Sequence, residues 1–177
     1  MVAKPLDGKP LDRAVPFETT LYVRDHCLCL HTQRAARILA RRFDDALRPV
    51  GLTNQQFSLL MSLNRPVPPP MGSVAALMGM DRTTLTAALK PLERRGLATL
   101  AANERDRRQR LILLLPAGAA LLRAAMPIWT DTHARIEGGM RGGASSADLL
   151  QRLEALGTSV VEGDQEAKTA GDGLRMF

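Results

Sequence analysis

Two short stretches of this chain carry most of its hydrogen-bonding and cationic chemistry. In the first, Arg82, Thr83, Thr84, Thr86, Lys90 and Arg94 follow Asp81, while Leu85, Ala88, Leu89 and Leu92 recur every three or four residues between them. On a helix this sets a polar, cationic face opposite a leucine stripe. Such a face suits nucleic acid: threonine meets thymine methyls or base edges, Arg82 reads guanine, and Lys90 and Arg94 pair with phosphate. In the second, Asn103-Glu104-Arg105-Asp106-Arg107-Arg108-Gln109 sets three arginines on a polar tip between two apolar runs. A third stretch, His26-Cys27-Leu28-Cys29-Leu30-His31, holds both cysteines. Three readings of it stay open. The cysteines are small apolar residues of an interface, or Cys29 is a redox-active thiol, or Cys27 and His31, at i and i+4, are half of a metal site whose other ligands come from elsewhere. No P-loop, dinucleotide fingerprint or His-Glu-x-x-His motif is present, and none of the three histidines stands in a nucleophile pattern. No catalytic residue, cofactor or metal is therefore expected.

These side chains need elements to hold them. Ser73–Met78 reads as a short helix capped by Ser73, whose first N–H groups would hold a further phosphate. Gly79-Met80 makes a turn, and Asp81 caps a second helix to about Arg95, with Met80 and Leu85 clamping its start. Gly96 ends it. Leu97–Leu100 and Arg110–Leu115 pair as strands around the arginine tip. Pro91 sits inside the second helix, where the lost hydrogen bond and the ring clash predict a bend near Ala87–Lys90. Upstream, Thr53-Asn54-Gln55-Gln56 is a capping box opening a helix to about Asn64 that buries Phe57, Leu60 and Leu63, and Pro66–Pro70 forms a stiff connector.

Taken together, Asp81-Arg82-Thr83-Thr84-Leu85-Thr86, Leu92-Glu93-Arg94-Arg95-Gly96-Leu97, Asp106-Arg107-Arg108 and Pro116-Ala117-Gly118 resemble the MarR family of bacterial winged helix-turn-helix regulators. The resemblance extends upstream to Gly51-Leu52-Thr53 and covers roughly residues 28–160. It implies a recognition helix in the major groove and a wing in the minor groove. It maps the family's wing arginine onto Arg108, with Asp106 as its positioning partner, and it implies repression as the usual behaviour. The chain departs from the family at Ala87, where many members carry a long polar side chain, so the operator sequence does not follow. It departs again at Leu115, where members commonly have a capping threonine. Cys29 lies 22 residues before Gly51, like the reactive cysteine of the organic-hydroperoxide-sensing members. Gln33 and Phe43 stand where those members have tyrosines.

Composition agrees with a nucleic-acid partner. The net charge is +6, and the stretch from Asp81 to Arg110, with eight Lys/Arg and four Asp/Glu, supplies +4 of it. Aromatic residues are 3% of the chain, so Leu and Ala must do the packing, which favours helices. No segment reads as a signal peptide or a membrane span, and two cysteines without an export signal point to a cytoplasmic protein.

The expected architecture is mainly α with a small β wing. Residues 1–18 form a flexible arm, 51–115 the winged helix-turn-helix, and 163–177 a flexible tail. Residues 19–50 and 116–162 supply dimerisation helices, the first broken near Asp25, the next opened by Pro116 and kinked at Pro127, the last running from Ser145 or Ser146 to about Val161. Their apolar stripes need a partner, most simply a second copy of the chain on a palindromic double-stranded site. The resemblance also implies a small aromatic or phenolic effector in a cleft between these helices and the DNA-binding lobe, with His31, Arg34, Met61 and Trp129 as its border. The rival readings are an enzyme and a winged-helix module that binds protein in place of DNA.

Overall fold

The fold is seen in a computed structural model that describes residues 15–104, 106, 108–140 and 145–173, with side chains described through residue 159. Helix α1 (Phe17–His26) is followed by α2 (Leu28–Leu47), a 3-10 turn (Arg48–Val50), α3 (Asn54–Leu63), α4 (Met71–Leu77), α5 (Arg82–Arg94), strands β1 (Ala98–Ala102) and β2 (Arg110–Leu114), then α6 (Pro116–Gly138) and α7 (Ser146–Gly173). The mainly helical chain with one small antiparallel sheet is the architecture expected.

Local chemistry explains most of the element boundaries. Thr53 Oγ1 accepts the Gln56 N–H at 3.2 Å while Gln56 Oε1 accepts the Thr53 N–H at 3.2 Å, closing the capping box at the start of α3. Both ends of the helix-turn-helix close by the same left-handed device. Gly79 (φ 61°) donates to Ala76 O and Met80 to Ala75 O; Gly96 (φ 65°) donates to Glu93 O and Leu97 to Leu92 O. In both, a glycine takes a backbone angle that a Cβ would strain, and two orphan carbonyls of the preceding helix are satisfied. Strand β1 pairs with β2 from Ala98↔Leu114 to Ala102↔Arg110. The proline connector reaches the free edge of β2, where the Ile112 N–H donates to Pro69 O at 3.0 Å and Pro70 bridges Leu111. The connector thus adds a one-residue third strand to the sheet.

The core lies where α3, α4, α5, the sheet and α6 meet. Leu85, Leu89 and Leu92 give α5 one fully buried stripe against Leu59, Leu60, Val74 and Ile112. Burying such side chains stabilises the domain by roughly 1.5–3 kcal/mol each. The stripe continues on both sides of Pro91, and α5 stays helical through it. The helix is continuous through the region where a bend was expected, Ala87–Lys90: Pro91 leaves the Ala87 carbonyl without its N–H, but Ala87 is exposed and water has access. Leu115 makes no side-chain cap for α6, and Pro116 occupies its first turn as expected. The α6 helix likewise continues past Pro127.

Three boundaries differ from expectation. Ser73 does not cap α4. The helix begins at Met71 with Pro70 at the cap position, and Ser73 Oγ donates back to Pro70 O at 2.8 Å. The break between the first helices falls at Cys27, two residues past Asp25, where Cys27 is extended (ψ 104°) and its Sγ accepts the Leu30 N–H at 3.4 Å. Helix α7 runs to Gly173, beyond the expected end at Val161, because residues 162–173 contain no proline and include good helix formers. The expected arm falls largely on residues 1–14, outside the described residues.

Helices α1, α2 and α7 bury little. In α1 no residue is buried and in α2 only Leu47 is. Tyr22, Leu28, Ile38, Leu149, Leu150 and Leu153 are exposed, Leu28 by 67%.

Candidate nucleic-acid interface

The start of α5 is built by Asp81. Its Oδ1 accepts the Thr84 N–H at 2.7 Å and its Oδ2 accepts the Thr84 hydroxyl at 2.8 Å. Those bonds, the backbone one first, hold the Asp81 carboxyl below the usual carboxylate range. Thr86 Oγ1 donates to Arg82 O at 2.7 Å. The hydroxyl protons of Thr84 and Thr86 are therefore spent inside the helix, leaving their methyls and acceptor lone pairs for a ligand. Thr83, Lys90 and Arg94 are exposed on the same helix. At the far end Arg95 Nη1 donates to Gly51 O at 2.8 Å, fastening α5 to the turn after α2.

The wing tip is folded by Asp106. Its Oδ1 accepts the Arg108 N–H at 3.0 Å, an Asx-turn, and its carbonyl accepts the Gln109 N–H at 2.9 Å. The pairing that the resemblance gave Asp106 and Arg108 is thus made through the Arg108 backbone. Arg105 and Arg107 lie outside the described residues. Arg108 meets Arg82 of α5 across a small cleft that Gly72 also lines, and Arg110, the first residue of β2, joins them there. Arg110 was not singled out from the sequence; its distance from Arg82 along the chain hides the pairing.

Of the four effector residues, the fold brings two together. Met61 and Trp129 line a cavity of about 460 Å³ between α3, α4 and α6, with Phe57, Met78, Met126 and Arg65. The Trp129 ring lies against Phe57 (centroids 6.2 Å), Phe43 (6.5 Å) and His133 (4.9 Å). His31 and Arg34 are exposed on α2 and do not line it; His31 Nε2 hydrogen-bonds Arg24 O at 3.0 Å across the Cys27 break. Cys29 is exposed, with Gln33 Nε2 3.1 Å from its sulfur, and Cys27 is half-buried; both are free thiols. Among the described residues no group of three or more His, Cys, Asp or Glu could hold a metal ion, and no helix is long and apolar enough to cross a membrane.

A helix-turn-helix whose second helix carries cations on its outer face, followed by a hairpin with an arginine at its tip, defines a winged helix-turn-helix protein. Comparison with known proteins takes this further. A sequence model of the MarR family matches residues 50–109. The crystal structure of the Mycobacterium tuberculosis transcriptional regulator MosR in complex with DNA superimposes with a TM-score of 0.70 at 35% identity, over 77% of this chain and 98% of that one. CouR from Rhodococcus jostii, bound to p-coumaroyl-CoA, shares the fold at a TM-score of 0.61 and 23% identity, over 77% of this chain and 92% of that one. The transcriptional activatory protein BadR of Rhodopseudomonas palustris is 32% identical over 88 residues, 48% of this chain and 50% of BadR, so the match spans about half the length of that curated relative. The chain belongs to the MarR family, whose members are transcriptional regulators and not enzymes.

Proposed function

We propose that this chain is a sequence-specific DNA-binding transcriptional regulator of the cytoplasm, acting as a homodimer on a palindromic operator and released by a small aromatic effector. One observation carries the reading. The exposed cations of α5 and of the wing approach each other at Arg82 and Arg108, giving one basic surface shaped for two neighbouring grooves. The crystallised complex of the MosR relative with DNA supports it. The proposed contacts are Ser73, Arg82, Thr83, Thr84, Thr86, Lys90, Arg94, Arg105, Asp106, Arg107 and Arg108. The exposed apolar residues of α1, α2 and α7 support a second copy as partner, which would space two recognition helices by about one DNA turn, ~34 Å. A dimer seated on a promoter excludes other proteins from it with no further contact, so repression is the simplest outcome.

Selection of bound duplexes from a random pool tests this. The selected site should be palindromic, hold two chains by light scattering, and bind more tightly as salt falls. Arg108→Ala should weaken it by about 1–3 kcal/mol in fluorescence anisotropy, with thermal stability unchanged because the side chain is exposed. No binding to any duplex at low salt would favour a protein-interaction module.

The cavity beside Trp129 supports the effector. It is largely apolar and aromatic, Arg65 at its mouth offers a cation to a carboxylate, and it touches α4, which supports the recognition helix. A ligand acts there only by binding the free dimer more tightly than the DNA-bound one. Phenolic and indolic acids should therefore quench Trp129 fluorescence at lower concentration without operator than with it. Affinities equal in the two conditions would remove the regulatory role.

A further inference from the structure

The cleft between α5 and the wing has a composition that base reading does not explain. It is about 100 Å³ in volume and its described lining includes Arg82, Arg108, Arg110 and Gln109 but no acidic residue. None of the three arginines belongs to an ion pair among the described residues. The Arg82 side chain lies over Gly72: a Cβ built there would stand 3.8 Å from Arg82 Nη2. The guanidinium therefore lies over the first turn of α4, beside the cleft that Arg82 shares with the wing. Three arginines lining one small cleft repel one another, and an anion between them removes the repulsion. Guanidinium groups match tetrahedral oxyanions by paired N–H donors. Geometry names the source of that anion. A helix in the major groove and a wing in the adjacent minor groove must straddle the strand that separates them, and the seam between the two elements faces its phosphates.

We propose that Arg82, Arg108 and Arg110 form one clamp for a single DNA backbone phosphate at the seam of recognition helix and wing. Arg82 then positions the helix and does not read guanine, and Arg110 belongs to the interface. The inference rests on the DNA-binding reading above.

The test uses the full chain and the selected duplex, with single methylphosphonate linkages scanned through one half-site. In the wild-type protein, neutralising one linkage should weaken binding about tenfold. In Arg82→Gln that same linkage should cost nothing further, the other linkages should cost what they did before, and the slope of log affinity against log salt should fall by about one per clamp. Discrimination among single-base variants of the site should be unchanged. Arg110→Gln should reproduce the pattern, which keeps the test open if Arg82→Gln perturbs the start of α5. Loss of discrimination at one base pair in Arg82→Gln would make Arg82 a base reader and overturn the clamp. So would additive losses at every linkage. Stabilisation of the wild-type protein by inorganic phosphate over chloride at equal ionic strength, lost in Arg82→Gln, with no sensitive linkage in the duplex, would assign the cleft to a free anion. A wild-type protein that binds no duplex at all sinks the DNA-binding reading itself.

Discussion

Gly118→Ala is expected to destabilise the folded chain by about 3 kcal/mol or more. A Cβ at this position would lie 2.2 Å from Leu97 O, 2.8 Å from Leu114 Cδ1 and 3.1 Å from Leu97 C. Two of the three obstacles are backbone, so no rotamer change relieves them. The Leu97 carbonyl is also committed: it accepts the Leu115 N–H at 3.0 Å, which closes the base of the hairpin against the start of α6. Making room means moving α6 off the sheet, which breaks that bond and opens the core around Leu122 and Ala125. Overpacking commonly costs about 1–3 kcal/mol and more where backbone must shift. A loss of about 3 kcal/mol or more, out of a domain stability of roughly 5–15 kcal/mol, is the expected result in urea denaturation. Wild-type stability in this variant would mean that α6 does not pack on the hairpin as described.

Leu89→Ala should cost about 2–5 kcal/mol, the range for a fully buried leucine in a core that collapses only partly. Leu89 is 0% exposed at the middle of the α5 stripe. The neighbouring Lys90 is exposed, and its truncation should change stability by less than about 0.5 kcal/mol while lowering DNA affinity. The pair of variants separates the two faces of one helix. The urea midpoint should fall for Leu89→Ala with little change in slope, and the remaining folded fraction should bind DNA normally. A loss under 1 kcal/mol would show that the helix is not seated by its leucines.

The features legible in the sequence were those that neighbouring residues determine. Asp81 capping Thr84, the Thr53–Gln56 box, the stripe of Leu85, Leu89 and Leu92, and Pro116 opening α6 each depend on side chains within one or two turns, so spacing alone exposes them. Ser73 was misplaced because a serine before an apolar run looks like a cap, whereas Pro70, with its preset φ and free carbonyl, starts the helix earlier. The end of α7 was missed because polar residues with good helix propensity resemble a tail when no breaker marks the stop. Convergence in space was invisible. Nothing in the order of residues sets Arg110 beside Arg82, separates His31 and Arg34 from Met61 and Trp129, or reveals that the glycine of Pro116-Ala117-Gly118 is demanded by the Leu97 carbonyl.

The bond from Arg95 to the Gly51 carbonyl has a mechanical meaning. Helix α2 has 20 residues, about 30 Å from end to end, and it finishes in the turn that this bond grips. The grip is at the C-terminal end of α5, whose outer face carries the cations. The ends of α2 and α5 are therefore tied at one point by this bond, and Leu47 of α2 lies in the same buried cluster as Leu85, Leu89 and Leu92 of α5. The two helices are joined twice, once at the surface and once through the core, so a change of angle in one is resisted by the other.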